Sequence, residues 1–156
     1  MVLRDFFIFV EAISVMANII SNIIRLGGET PDLERVTKFV KSEDLIFDFN
    51  RIIPVPSNIK DNYRWKIDHW GTASNTSSDN TECEDYEFRF WTRWTAPIQV
   101  IAELASMFPD VEFTHIYADE QFGSNCGYIE YRNGVEDLYF SPDTNKEYEE
   151  IYNICW

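Results

Sequence analysis

His69 is the one residue whose neighbours could do acid/base work. Asp68 precedes it, and Trp65 and Trp70 flank it. A His–Asp pair can move a proton near neutral pH. No motif places a Ser or Cys nucleophile beside it, so the better reading is a structural histidine in an aromatic loop. His115 alternates with Phe113 and Tyr117, and strand side chains two apart share a face, so it reads as a packed histidine. Asp119 and Glu120 could join Asp110 or Glu112 around a cation, but the spacing is not that of a calcium loop. A solvated strand end explains them. Gly27-Gly28 between a strand and a helix invites a phosphate, yet GxGxxG and the P-loop lysine are missing and Glu29 opposes an anion. A turn explains it. Phe88, Phe90, Trp91 and Trp94 are the types that stack on bases across an RNA-binding sheet. Glu82, Glu84, Asp85 and Glu87 precede them and would repel phosphates, so core packing and protein contact are the better readings. No catalytic residue, metal ligand or cofactor is expected.

The elements that must position these residues centre on 91–117. Tyr86, Phe88, Phe90, Thr92 and Trp94 share one strand face. Pro97 suits a first helical position. Ile98, Ile101, Leu104, Ala105 and Phe108 recur at helical spacing, Pro109 stops the helix, and Val111, Phe113, His115 and Tyr117 alternate on the next strand. Upstream, Ile19–Leu26 reads as a strand ended by Gly27-Gly28. A helix over 31–41 follows, with Thr30 as N-cap, Pro31 first and Leu33, Val36, Thr37 and Val40 as its buried stripe. Ile46–Ile53 reads as the second strand, closed by Pro54 and Pro56. Residues 73–81 are polar and turn-rich, an exposed loop. Asn133-Gly134 between alternating segments marks a hairpin over 127–140. The order of the first six elements is βαββαβ, which predicts an α+β, ferredoxin-like antiparallel sheet with two helices on one face plus a C-terminal hairpin. The domain runs over 16–140. Residues 141–156 form an acidic tail whose short helix docks Ile151, Tyr152, Ile154 and Trp156. Residues 1–15 form an extension, either a short helix packing Leu3, Phe6, Phe7 and Val10 or the product of a start upstream of Met16.

Hydrophobic residues make up 45% of the 156, enough for a core. Three cysteines without CxxC argue for a reducing, cytoplasmic setting and against a disulfide scaffold or a zinc site. The net charge is −14 and unevenly spread. Residues 79–156 hold seventeen of the 27 acids and four of the 13 bases, a net −13. Direct binding to nucleic acid or to an anionic membrane surface is disfavoured. A basic protein surface is the complement, although an acidic surface also serves solubility alone.

Several runs resemble the YubB-type proteins of plasmids and phages: Met16-Ala17-Asn18 leading to Ser21-Asn22, Ile53-Pro54 with Pro56, Trp70-Gly71-Thr72, Trp94-Thr95-Ala96-Pro97, and Phe108-Pro109-Asp110 before a strand reaching Tyr117 and Glu120. The resemblance spans roughly Met16 to Phe140. Ile19-Ile20 stand where that family often has Trp-Cys, and Ala73–Thr81 is a longer polar loop. The resemblance implies a ferredoxin-like fold and a mobile-element origin, and carries no catalytic residues.

The expectation is thus a non-catalytic acidic protein of phage or plasmid origin. It docks on a basic surface of a nucleic-acid-handling or host-defence factor, a CRISPR effector being one such target. Its contacts are Glu82, Glu84, Asp85, Glu87, Asp119, Glu120, Glu136, Asp137, Glu147, Glu149 and Glu150, with Trp70 and Trp91. The alternatives are a structural or oligomerisation module of a mobile element and an enzyme.

Overall fold

The computed structural model describes residues 17–156, so the readings of the extension 1–15 and of Met16 lie outside the described residues. Six strands form one sheet: β1 Ile19–Gly27, β2 Glu82–Glu84, β3 Glu87–Arg93, β4 Glu112–Asp119, β5 Gly127–Arg132 and β6 Val135–Phe140. Their order is β2-β3-β1-β4-β5-β6, and every pairing is antiparallel. Five helices accompany them: α1 Thr30–Val40, α2 Phe49–Ile52, α3 Asn62–Trp70, α4 Ile98–Met107 and α5 Asn145–Cys155.

β1 lies between β3 and β4 and is apolar on both faces, as a doubly covered strand must be. Ile20 and Ile24 point into the main core, where Phe88 and Phe90 of β3 and Phe113 and Tyr117 of β4 share their side. Leu33, Val36 and Val40 of α1 and Val100, Ile101, Leu104 and Ala105 of α4 belong to that same cluster. Ile23 points the other way, to a smaller cluster with Ile116 and Ala118 of β4, Cys126, and Ile151 and Cys155 of α5.

Three sequence readings need correction. Ile46–Ile53 is not a strand. Asp48 caps a single helical turn, its side chain accepting from the Asn50 N–H at 2.9 Å, and the Phe49 N–H donates to the Asn75 side chain at 3.0 Å. The alternation of Phe47 and Phe49 is real, and both are fully buried. They plug the core beneath β3, Phe47 lying 5.0 Å from both Phe88 and Phe90, rather than pairing along a sheet edge. The edge beside β3 is taken by Glu82–Glu84, which a two-residue turn joins to β3. Asp85 and Tyr86 both have positive φ, 48° and 61°, the geometry whose twist suits a tight hairpin. Closing two residues costs far less loop entropy than bringing in a strand from forty residues away.

Around His69, where the sequence suggests an aromatic loop, the chain forms α3. Asp61 caps its start through the Arg64 N–H, and Gly71 ends it at φ 77°, a left-handed position that favours glycine. Residues 73–81 are stitched down rather than loose. Thr76 Oγ1 donates to the Phe47 carbonyl, Asn75 Nδ2 to Asp48 at 2.7 Å, and Thr81 Oγ1 to the Ser77 carbonyl at 2.6 Å. Thr72, Thr76 and Thr81 are buried. A smaller correction falls at α1, where Glu29 is the N-cap and Thr30 is already helical.

Both sheet edges carry protection against further pairing. β2 is three exposed residues, two of them glutamates. β6 is broken by a register shift. Tyr131 faces Glu136 and Glu130 faces Leu138, so Asp137 has no partner across the ladder.

Phe47→Ala should cost about 3–5 kcal/mol of stability, because a fully buried ring is removed from a packed aromatic cluster. Val135→Ala, at an exposed edge position, should stay within about 0.5 kcal/mol. Urea unfolding at constant m-value reads both. Equal effects would place Phe47 outside the cooperative core.

Candidate functional site

The sheet face of the main core holds a polar network. His115 Nε2 donates to Asn22 Oδ1 at 3.0 Å, Asn22 Nδ2 donates to Thr92 Oγ1 at 2.9 Å, and Thr92 Oγ1 donates to the Thr95 carbonyl at 2.8 Å. His115, Asn22 and Thr92 share one face of β4, β1 and β3, diagonal to one another across the ladders, and all are buried. Burial pushes the His115 pKa down to about 3, so the ring is a neutral structural group. Tyr117 and Tyr139 hydroxyls meet at 3.2 Å, and burial raises the Tyr117 pKa. Gly127 is required by this packing, since a Cβ there would come within 2.5 Å of the Tyr117 hydroxyl. His69 is exposed and stacked on Trp65 at 4.2 Å, while Asp68 pairs with Arg64 at 3.2 Å. The His–Asp relay is therefore not assembled.

The opposite face differs in kind. Along β3, Glu87, Arg89, Trp91 and Arg93 alternate outward. α5 lies across β1 and β4, started by a capping box between Thr144 and Glu147. Its last carbonyls are satisfied from the sheet. Ser21 Oγ donates to the Cys155 carbonyl at 3.0 Å and Arg89 Nη1 to the Ile154 carbonyl at 3.4 Å. Trp156 Nε1 donates to the Ala118 carbonyl at 3.2 Å and the Tyr152 hydroxyl to the Glu120 carbonyl at 3.2 Å. This docking lines up a chain of aromatic rings. Trp91 lies 6.0 Å from Trp156, Trp156 6.5 Å from Tyr152, and Tyr152 5.7 Å from Phe122. Trp91, Trp156 and Phe122 remain 47%, 44% and 52% exposed. Aromatic rings half-open to solvent are the kind of surface that forms interface centres.

The residues singled out in the sequence divide accordingly. Glu82, Glu84 and Asp85 are exposed around the β2–β3 turn, and Glu120, Glu136, Asp137, Glu149 and Glu150 are exposed too. Glu87 is already committed. Arg25 and Arg89 reach it at 2.6 and 2.8 Å, and although burial pushes its pKa up, their hydrogen bonds outweigh that and lower it. Glu147 is likewise occupied, its carboxylate accepting from the Asp143 and Thr144 N–H groups, which lowers its pKa. Trp70 and Asp119 are corrections: both are fully buried and cannot touch a partner through this fold. Trp70 Nε1 donates to the Ile53 carbonyl at 2.9 Å, and Asp119 accepts from Asn18, the Gln121 N–H and Asn125, fixing the β4–β5 loop. Trp94, one of the aromatics read as core or contact residues, is exposed, and Phe122 is a further surface aromatic that the sequence reading does not name. Phe122 sits before Gly123-Ser124-Asn125, and an aromatic in a turn-rich stretch was the available signal.

Comparison with known proteins fits this architecture. The model of the ferredoxin-like domain in Api92-like protein matches residues 69–153, more than half of the chain. The chain belongs to that family. The matched stretch runs from the end of α3 to α5, and β1, outside it, is the strand between β3 and β4. A similar solved structure is the crystal structure of a protein api92 from Yersinia pseudotuberculosis. It is 18% identical, with a TM-score of 0.48 over 62% of this chain and 40% of that one. The chain thus spans well under half of that relative's length. No curated protein matches the chain. Among the described residues, no helix is long and apolar enough to cross a membrane.

The buried imidazole sets a pH dependence. Its folded pKa of about 3 lies below the unfolded value of about 6.5. The unfolded chain therefore takes up a proton first as pH falls, and stability present above pH 6.5 is lost on the way down. Between pH 6 and pH 5, wild type should lose about 1 kcal/mol more than His115→Asn. Parallel pH–stability curves for the two would refute it.

Proposed function

We propose that this chain is a non-catalytic acidic binding module that docks its outer sheet face and α5 on a basic surface of another protein. The architecture attached to this reading has α1 and α4 over one sheet face and the β5–β6 hairpin widening the sheet, so that the other face is the working one. The observation that carries it is the coincidence of two features on one half of the chain. Residues 79–156 hold a net −13, and Trp91, Phe122, Tyr152 and Trp156 form one ring-to-ring chain on the outer face. Carboxylates steer and aromatics hold. A protein that handles nucleic acid, a host-defence effector included, is the natural partner class, because holding phosphates requires a basic surface. A phage or plasmid origin fits an acidic protein aimed at such a factor. The oligomerisation reading is the weaker one, since the short acidic β2 and the interrupted β6 both discourage edge-to-edge assembly.

Steering and holding should separate kinetically. With immobilised protamine as a basic probe, Glu82→Gln/Glu84→Gln/Asp85→Asn should slow association and flatten its salt dependence as the Debye length shrinks from about 10 Å at 0.1 M to about 3 Å at 1 M. Phe122→Ala/Trp156→Ala should mainly speed dissociation. Glu43→Gln/Asp44→Asn, exposed in the loop after α1, is the control. Should that control behave like the β2–β3 variant, only overall charge is at work and the docking face is wrong.

A further inference from the structure

We infer that the groove beside Trp91 is a socket for a guanidinium, an arginine side chain presented by the basic partner. The inference rests on the docking reading above and names the group that the surface takes.

The groove consists of two cavities of ≈ 390 and ≈ 300 Å³ that share Glu82 and Arg89. Trp91 forms one wall, its indole half-exposed. A cation over an indole face is held by the ring quadrupole. The other wall supplies acceptors. Asn80 lines the first cavity and, together with Trp91 and Arg93, a third of ≈ 510 Å³. Asp79 and Glu82 line the first cavity, and Glu84 and Asp85 the second. None of the four forms an ion pair among the described residues. Arg89, the basic residue lining both cavities, is held by Glu87 and the Ile154 carbonyl. The C-terminal end of α5 reaches the groove at Cys155 and adds the negative end of its dipole. A stacking surface and unpaired carboxylates suit a planar fork of donors, and guanidinium meets both at once, whereas an ammonium supplies only the charge.

The test uses two peptides of equal charge and length, octa-arginine and octa-lysine, titrated into the full chain and followed by calorimetry at fixed salt. Octa-arginine should bind the wild type more tightly, and Trp91→Ala should lower its affinity about five-fold while leaving octa-lysine within about two-fold. Glu82→Gln/Glu84→Gln/Asp85→Asn provides a second arm and should weaken octa-arginine more than octa-lysine. Thermal unfolding of both variants checks the fold, and Trp91, being half-exposed, should tolerate replacement. Equal affinity for the two peptides, or octa-arginine binding unchanged in both variants, would overturn the socket and leave the acidic docking surface standing. Failure of both peptides to bind the wild type would overturn the docking reading and the socket with it.

Discussion

Everything in this fold depends on β1 being paired on both edges and covered on both faces. A strand with β3 on one side, β4 on the other, isoleucines at 20 and 24 facing one way and at 23 facing the other has no side left for water over residues 20–24. Two cores must therefore be built against one strand. The larger takes α1, α4 and the phenylalanines around Phe47. The smaller is only a patch of Ile23, Ile116 and Ala118, and one amphipathic helix suffices to close it. α5 is thus a structural requirement of the sheet, and its position fixes what the outer surface offers.

At the middle of the larger core the strands trade apolar packing for polar order. Asn22, Thr92 and His115 share one face of the three central strands and bond diagonally across the ladders. A one-residue slip of any one strand would turn its group to the other face and leave its neighbours without a partner. The network therefore specifies which residue faces which. The cost is a buried imidazole whose Nδ1 has no partner among the described residues, and that cost is tolerable because the ring stays neutral.

The outer face follows from the same geometry. On the outer side of β3, Arg89 meets the Ile154 carbonyl and Trp91 meets Trp156 at the end of α5, Glu87 is held by two arginines, and Trp91 and Arg93 stay exposed. Trp91 falls between the end of α5 and the 74–80 segment, and grooves form on both sides of it. The acids of the β2–β3 turn then stand at the groove because that turn has only two residues and β2 only three. Charge and aromatic surface meet there through chain geometry. Neither feature alone would single out the position.

How much of this was legible beforehand varied with the range of the interaction. Period-two and helical spacing located β1, β3, α4 and β4, since each is a long element with one uninterrupted apolar pattern. Asn133-Gly134 located the last turn by its own backbone preference. The strand read into Ile46–Ile53 failed because Phe47 and Phe49 alternate like strand residues while serving as a core plug. Only the position of β3 decides between those roles. α3 was missed although Asp61 and Gly71 bracket it, because its apolar residues are few and its one fully buried side chain, Trp70, rests on the α2 segment through Ile53. Composition by itself determined that the second half is strongly acidic. The tertiary structure decided which acids are free: it buried Asp119 at the end of β4, tied Glu87 to two arginines and Glu147 to a helix start, and left Glu82, Glu84 and Asp85 open. Sequence fixes a residue's charge through its chemistry, but availability depends on neighbours brought from distant positions, and those are set only when the chain has closed on itself.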